Sequence, residues 1–302
     1  MPEGSRTSID YVAIGQRLRA YRIGASLLAE DIAERMGISR AVVYRLEKGE
    51  IVKIETLERL AELLGTSLAS LLGVEHEYYT SALGLFERYR QLEETSDRII
   101  AHFEPLSLLL TTPDYLRHLR AMLAEMLPVK GEEGRLQEIE NFIEIMAERK
   151  AAFERRRPHL ICLVGIRELE RFVRVGMAGR VKLPRNIRGR RIAAARAEVE
   201  HIAELMEIDD FHAQIGLIDD AMPASTSQVF SSAERKVLAI SPFRLGELPN
   251  MHNGIAMVTS SPEAVRLYEA MIGRLWRNAK KGAAGAQVIR EMLSRTGDDT
   301  TH

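Results

Sequence analysis

Between residues 14 and 73, apolar positions recur every three or four residues in short blocks, each closed by a glycine or a polar turn. Leu18 leads to Ile23; then come Ile32, Ala33 and Met36; Val42, Val43 and Leu46; Leu57, Leu60, Ala61 and Leu64; and finally Leu68, Leu71 and Leu72. This is the period of amphipathic helices, so the stretch predicts five of them in about sixty residues. Gly24, Gly37, Gly49, Gly65 and Gly73 fall where these helices should stop, the place a left-handed C-terminal residue takes. From His76 to Glu94 the period is again helical, with Tyr79, Leu83, Phe86 and Tyr89 in step, but no heptad persists. That segment, 74–97, reads as a core or linker helix between the two domains rather than a coiled-coil dimerisation segment.

Farther on the pattern is mixed. Helical periods cover 113–127, 134–157, 166–174, 190–207, 262–278 and 284–294. Short runs at 159–165, 213–218, 228–231, 236–240 and 254–258 are rich in Val, Ile and Phe and bounded by Gly, Pro, Ser or Asp, as strands are. The chain is therefore expected to be mainly α: a five-helix domain over 1–73, the linker helix, an α/β or α+β domain over 98–294, and a disordered tail over 295–302.

Composition narrows the class. With 302 residues the chain can bury a core without disulfides, and its single cysteine, Cys162, can build neither a disulfide framework nor a cysteine zinc site. No apolar run approaches the ~18 residues of a membrane span, and the first residues lack the charged-then-apolar pattern of a signal peptide. A soluble cytoplasmic protein without a membrane partner is expected. The net charge of −1, from 42 basic and 43 acidic side chains, lacks the usual footprint of a nucleic-acid binder.

The stretch from Leu27 to Gly49 points the other way. Two short helices meet at Met36-Gly37-Ile38-Ser39, a turn that needs glycine for a left-handed residue, a small side chain such as Ala33 where the helices approach, and a hydroxyl cap. Ser39 supplies the cap. Ile32, Met36, Ile38, Val43 and Leu46 then face inward, leaving Arg40, Ala41, Tyr44 and Arg45 outward on the third helix. Such a helix fits a major groove, where arginine reads guanine through two parallel hydrogen bonds. We expect Arg40 and Arg45 to read bases with help from Tyr44 and Lys48, and Arg17, Arg19 and Lys53 to touch phosphates. Double-stranded DNA is the expected partner, bound by a homodimer on a palindromic site with recognition helices ~34 Å apart.

Residues 14–73 resemble the helix-turn-helix domain of the Xre family of Cro-type bacterial repressors, on the strength of Arg45-Leu46-Glu47-Lys48-Gly49 followed by Thr56-Leu57-Glu58-Arg59-Leu60-Ala61. The resemblance implies an ion pair between Arg22 and Glu47. Where the family places a phosphate-gripping glutamine, this chain has Ala29, which leaves that task to helix amides or another residue. Residues 98–294 resemble the domain following such units in WhiJ-like regulators of actinomycetes, through Ile100-Ala101-His102-Phe103-Glu104-Pro105, Leu109 to Leu116, and Glu148 to Pro158. That likeness implies a signal-receiving, dimerising domain for a small-molecule effector or a small protein partner, and no enzyme activity. The alternative is an antitoxin-like module that captures a small partner protein; an enzyme fused to a DNA-binding head is a third reading.

Other chemistries fare poorly. His76-Glu77 begins like a zinc-protease helix, but Thr80 stands where the second histidine is needed. Glu198 and His201 have the spacing of a carboxylate-bridged iron pair without a second such pair. Cys162, inside an apolar run, reads as a structural thiol. No catalytic set, metal site or cofactor is expected. Arg180, Lys182, Arg185, Arg188, Arg190, Arg191 and Arg196 run without an intervening acid, and among them Arg185, Arg188, Arg190 and Arg191 are candidates for an anion site. His252-Asn253-Gly254 with Phe211, Phe230, Phe243 and Trp276 could line an effector pocket. Within 1–73 ten basic side chains face ten acidic ones, so the head itself is neutral and the placement of its arginines matters more than their number.

Overall fold

The computed structural model describes residues 10–50, 53–74, 76–102, 105–127, 132–208 and 212–298. Five helices form the head: α1 (Tyr11–Gly24), α2 (Ala29–Met36), α3 (Arg40–Glu47), α4 (Ile54–Leu63) and α5 (Leu68–Leu72). Their ends follow local chemistry. The Asp10 carboxylate accepts from the Ala13 amide at 2.9 Å, the Ser67 hydroxyl from the Ser70 amide at 3.0 Å, and Gly37, Gly49, Gly65 and Gly73 all take positive φ. Gly24 does not. Its lack of a side chain serves a close approach instead, since a Cβ there would meet the Gly84 Cα at 2.9 Å, and the positive φ of the α1–α2 turn falls on Ser26. Gly15 works similarly, because a Cβ would strike the carbonyls ending α3.

The body is built on a seven-stranded mixed sheet of order β1-β7-β6-β5-β2-β3-β4, with β1 (His76–Tyr79), β2 (Arg98–His102), β3 (His159–Gly165), β4 (Ala213–Ile218), β5 (Thr226–Ser231), β6 (Lys236–Ser241) and β7 (Ala256–Thr259). β2, β3 and β4 are parallel; the other neighbours are antiparallel. Helices α7 (Tyr115–Glu125) and α8 (Glu132–Arg156) connect β2 to β3, and α9 (Ile166–Val175) and α10 (Arg185–Ile208) connect β3 to β4, as parallel pairing requires. α6 (Ala82–Thr95) follows β1. α11 (Pro262–Asn278) covers one face of the sheet through Val265 and Ile272, and α12 (Gly282–Asp298) packs with α9 and α10. Among the described residues no helix is long and apolar enough to cross a membrane.

Segment 74–97 is a helix only in its second part, Ala82–Thr95; its first part is a strand. His76–Tyr79 is the sheet's edge strand, pairing His76 with Thr259 and Tyr79 with Ala256, and α6 is buried between α1 and α8. The cause is tertiary: β7 offers an open edge that local periodicity cannot reveal. Nor does the tail begin at 295, since α12 continues to Asp298; residues 299–302 lie outside the described ones. One hydrophobic core runs unbroken from Ile14 and Leu60 in the head through Phe86 and Tyr89 to Phe172 and Ile289 in the body. Tyr21 of α1 stacks on Tyr79 of β1 with centroids 4.9 Å apart.

Candidate nucleic-acid interface

The turn between α2 and α3 is built as the residues dictate. Gly37 has φ 69°, Ala33 and Met36 are buried under it, and the Ser39 hydroxyl accepts from the Val42 amide at 3.4 Å. Val43 and Leu46 face the core while Arg40, Ala41, Tyr44, Arg45 and Lys48 stand in solvent. The exposed arginines rest on local acids: Arg40 lies 2.7 Å from Glu30 and Arg45 3.5 Å from Glu50. The Arg40 guanidinium sits over the Tyr44 ring at 5.3 Å. Exposed pairs of this kind are weak in water, so both guanidiniums can exchange them for a base edge or a phosphate.

Arg22 holds α3 in place. It donates to both Glu47 carboxylate oxygens, at 2.5 and 3.1 Å, and to the Leu27 carbonyl at 3.0 Å, tying α1, the α1–α2 turn and the end of α3 together. Both side chains are nearly out of solvent, so removal of either strands a charge. Ala29 is buried and α2 has no side-chain cap; only the Leu28 amide is covered, donating to Asp31 at 2.6 Å. Among the described residues no side chain caps the first amides of α2, which lie at the positive end of the helix. Lys53 is exposed at the start of α4.

Two expected phosphate contacts are elsewhere. Arg17 is buried, donating to the Leu71 and Leu72 carbonyls at 2.8 and 2.6 Å and lying 3.6 Å from Glu77 of β1. Arg19 is paired with Glu87 of α6 at 3.1 Å. Both carboxylates are in turn gripped from the body. Glu77 accepts two bonds from Arg88 at 2.9 Å and one from the Tyr79 hydroxyl at 2.8 Å; Glu87 accepts two from Arg90 at 2.9 Å. The Gln91 amide donates to the Gln16 carbonyl, and the Ser81 hydroxyl to the Gly24 carbonyl, each at 3.0 Å. Arg17 is thus a buried residue fastening head to body, where a phosphate contact was expected; Arg19 stays half-exposed while pairing with Glu87 across the same seam.

The basic segment divides. Arg191 reaches Glu125 at 2.6 Å, Arg180 donates to the Glu125 carbonyl, and Arg196 donates to the Leu293 carbonyl at 2.7 Å and the Thr296 hydroxyl at 3.0 Å. Arg185, Arg188 and Arg190 remain exposed along the first turns of α10. Arg191 is thus a structural residue, where an anion contact was expected. Glu198 is also structural, accepting from the Thr112 amide at 2.9 Å and from its hydroxyl. The aromatic set does not meet in one pocket: Phe230 and Phe243 are core, Trp276 is half-buried against the opposite sheet face, and Phe211 lies outside the described residues. His252 instead lines a cavity at the seam of head and body.

Residues 13–72 match the family model of a helix-turn-helix domain. No curated protein matches the chain. The match and the exposed α3 face agree: the chain carries a helix-turn-helix unit of the kind DNA-binding regulators use.

Proposed function

We propose that this helix-turn-helix protein is a sequence-specific transcription regulator of the Xre type, binding a palindromic operator as a homodimer while its body senses a small ligand or a protein partner. The observation that carries the reading is α3 itself. Its inner face is packed, its end is fixed by the Arg22–Glu47 pair, and its outer face presents Arg40, Tyr44, Arg45 and Lys48 to solvent. Arg40 and Arg45 read base edges in the major groove. Lys48, Lys53 and the open amides of α2 hold phosphates, which set the register of the head on the duplex. Two heads related by a twofold axis place their α3 helices in successive major grooves ~34 Å apart.

Because the head is clamped to the sheet, a signal reaching the body changes DNA affinity only by moving head and body as a unit or by altering the seam between them. A ligand switches binding if it prefers one of those arrangements. The experiment is selection of bound duplexes from a random DNA pool by the full-length chain, followed by footprinting. An enriched inverted repeat with half-sites one helical turn apart is expected. Absence of enrichment overturns the assignment.

A further inference from the structure

Two cavities meet where head and body touch. One, of about 520 Å³, is walled by Leu83, Leu123, Leu127, Ile139 and Phe142 and opens beside Met126 and His252. The other, of about 710 Å³, runs along α8 past Asn141, Glu144 and Glu148. Ser26, Leu83 and Glu138 line both, so the two form one trough with an apolar floor. Each compartment is in the range that small-molecule sites occupy.

The charges along it are unbalanced. Its cations, Arg19 and Arg22, are committed to Glu87 and Glu47. Glu138 and Glu144 are exposed on the rim, with no ion pair among the described residues. An apolar floor beneath carboxylates that no described cation pairs suits an apolar body that carries a protonated amine. The trough also touches the α1–α2 turn. Ser26 holds φ 55°, a left-handed conformation costly for a residue with a side chain, and stands two residues ahead of Leu28, the cap of α2. Leu27 and Leu28 line the trough themselves.

We propose that this trough binds an amphipathic cation, and that occupancy shifts the α1–α2 turn and with it the open amides of α2, changing DNA affinity. The coupling rests on the DNA-reading function proposed above; the site does not. Dansylcadaverine and dansylglycine share one apolar fluorophore and end in an amine and a carboxylate respectively. In fluorescence titrations of the full-length chain, dansylcadaverine should saturate a single site and bind at least about fivefold more tightly than dansylglycine. Glu138→Lys should remove or reverse that preference. Met126→Trp, at a half-exposed position where a larger side chain fills the trough, should abolish binding of both dyes with an unchanged melting temperature. Equal binding of the two dyes, or titrations unaffected by both substitutions, overturns the site. Saturating dansylcadaverine should change affinity for the selected duplex at least about fivefold, and an unchanged affinity with dye bound overturns the coupling. If the chain selects no DNA, the regulator reading and the coupling fall together, while the dye titrations still decide the site.

Discussion

Arg17 on the head's first helix and Glu77 on the sheet's edge strand lie 3.6 Å apart, each about 7% exposed. Arg88 holds both oxygens of the same carboxylate, so one buried acid serves two guanidiniums from opposite sides of the seam. Glu77→Ala leaves both buried without a counter-charge, and is expected to cost about 3 to 5 kcal/mol. Thermal unfolding followed by circular dichroism checks this. The wild-type chain should melt in one transition and the variant at a lower temperature. Two separate wild-type transitions would show that the seam does not couple the parts.

Arg45 and Lys53 should fail differently. Arg45→Ala is expected to weaken binding of the selected site by ~1 to 3 kcal/mol and to relax choice at one base pair. Lys53→Ala should weaken all sequences alike and reduce the salt slope by about one. Anisotropy titrations on matched and single-substituted duplexes at several salt concentrations separate the two. Should Arg45→Ala keep full preference at every position, Arg45 does not read bases.

Stability should fall on mild acidification. His102 is wholly buried at the end of β2, and burial lowers its pKa from the ordinary 6.5 to about 4. The unfolded chain therefore takes up a proton at this residue below about pH 6.5 while the folded chain stays neutral there until about pH 4. Its contribution is complete above 6.5 and is lost between 6.5 and 4, at up to ~1.4 kcal/mol per pH unit. Urea titrations at pH 7 and pH 5 on the wild type and His102→Gln measure it. The variant should lose less stability between the two pH values, and equal losses would remove His102 from the account.

Cys162 should be silent until the protein unfolds. It lies fully buried in β3, and burial pushes its thiol up to about 12. An aromatic disulfide reagent at pH 8 should label none of the native protein within minutes and all of it in denaturant. Rapid labelling of the native chain would show that β3 opens readily.

The parts legible in the sequence are those with local causes. The α2–α3 turn follows from Gly37 and Ser39, the outward face of α3 from helical period alone, and β3 and β4 from runs of branched residues between breakers. The illegible parts have distant causes. Arg17 and Arg19 look like surface cations until Glu77 and Glu87 arrive on other elements to claim them. His76–Tyr79 is too short to show alternation and becomes a strand only because β7 lies beside it. β2, with Ile99, Ile100 and Ala101 at its centre, is only one residue longer and gains its state from β3 and β5. Arg191 looked available in a segment free of acids because its partner, Glu125, sits on α7.

The edge strand also decides where the molecule can be cut. A transplantable reading head would ordinarily be severed at Gly73, the end of α5. Here that cut removes the stacking partner of Tyr21, the acid facing Arg17 and the glycine against which Gly24 rests. A unit that keeps these three contacts must extend at least through α6, and it carries away one border of the sheet. Chimeras of this protein inherit the placement of head on body from the donor of residues 76–95, whichever parent supplies α3.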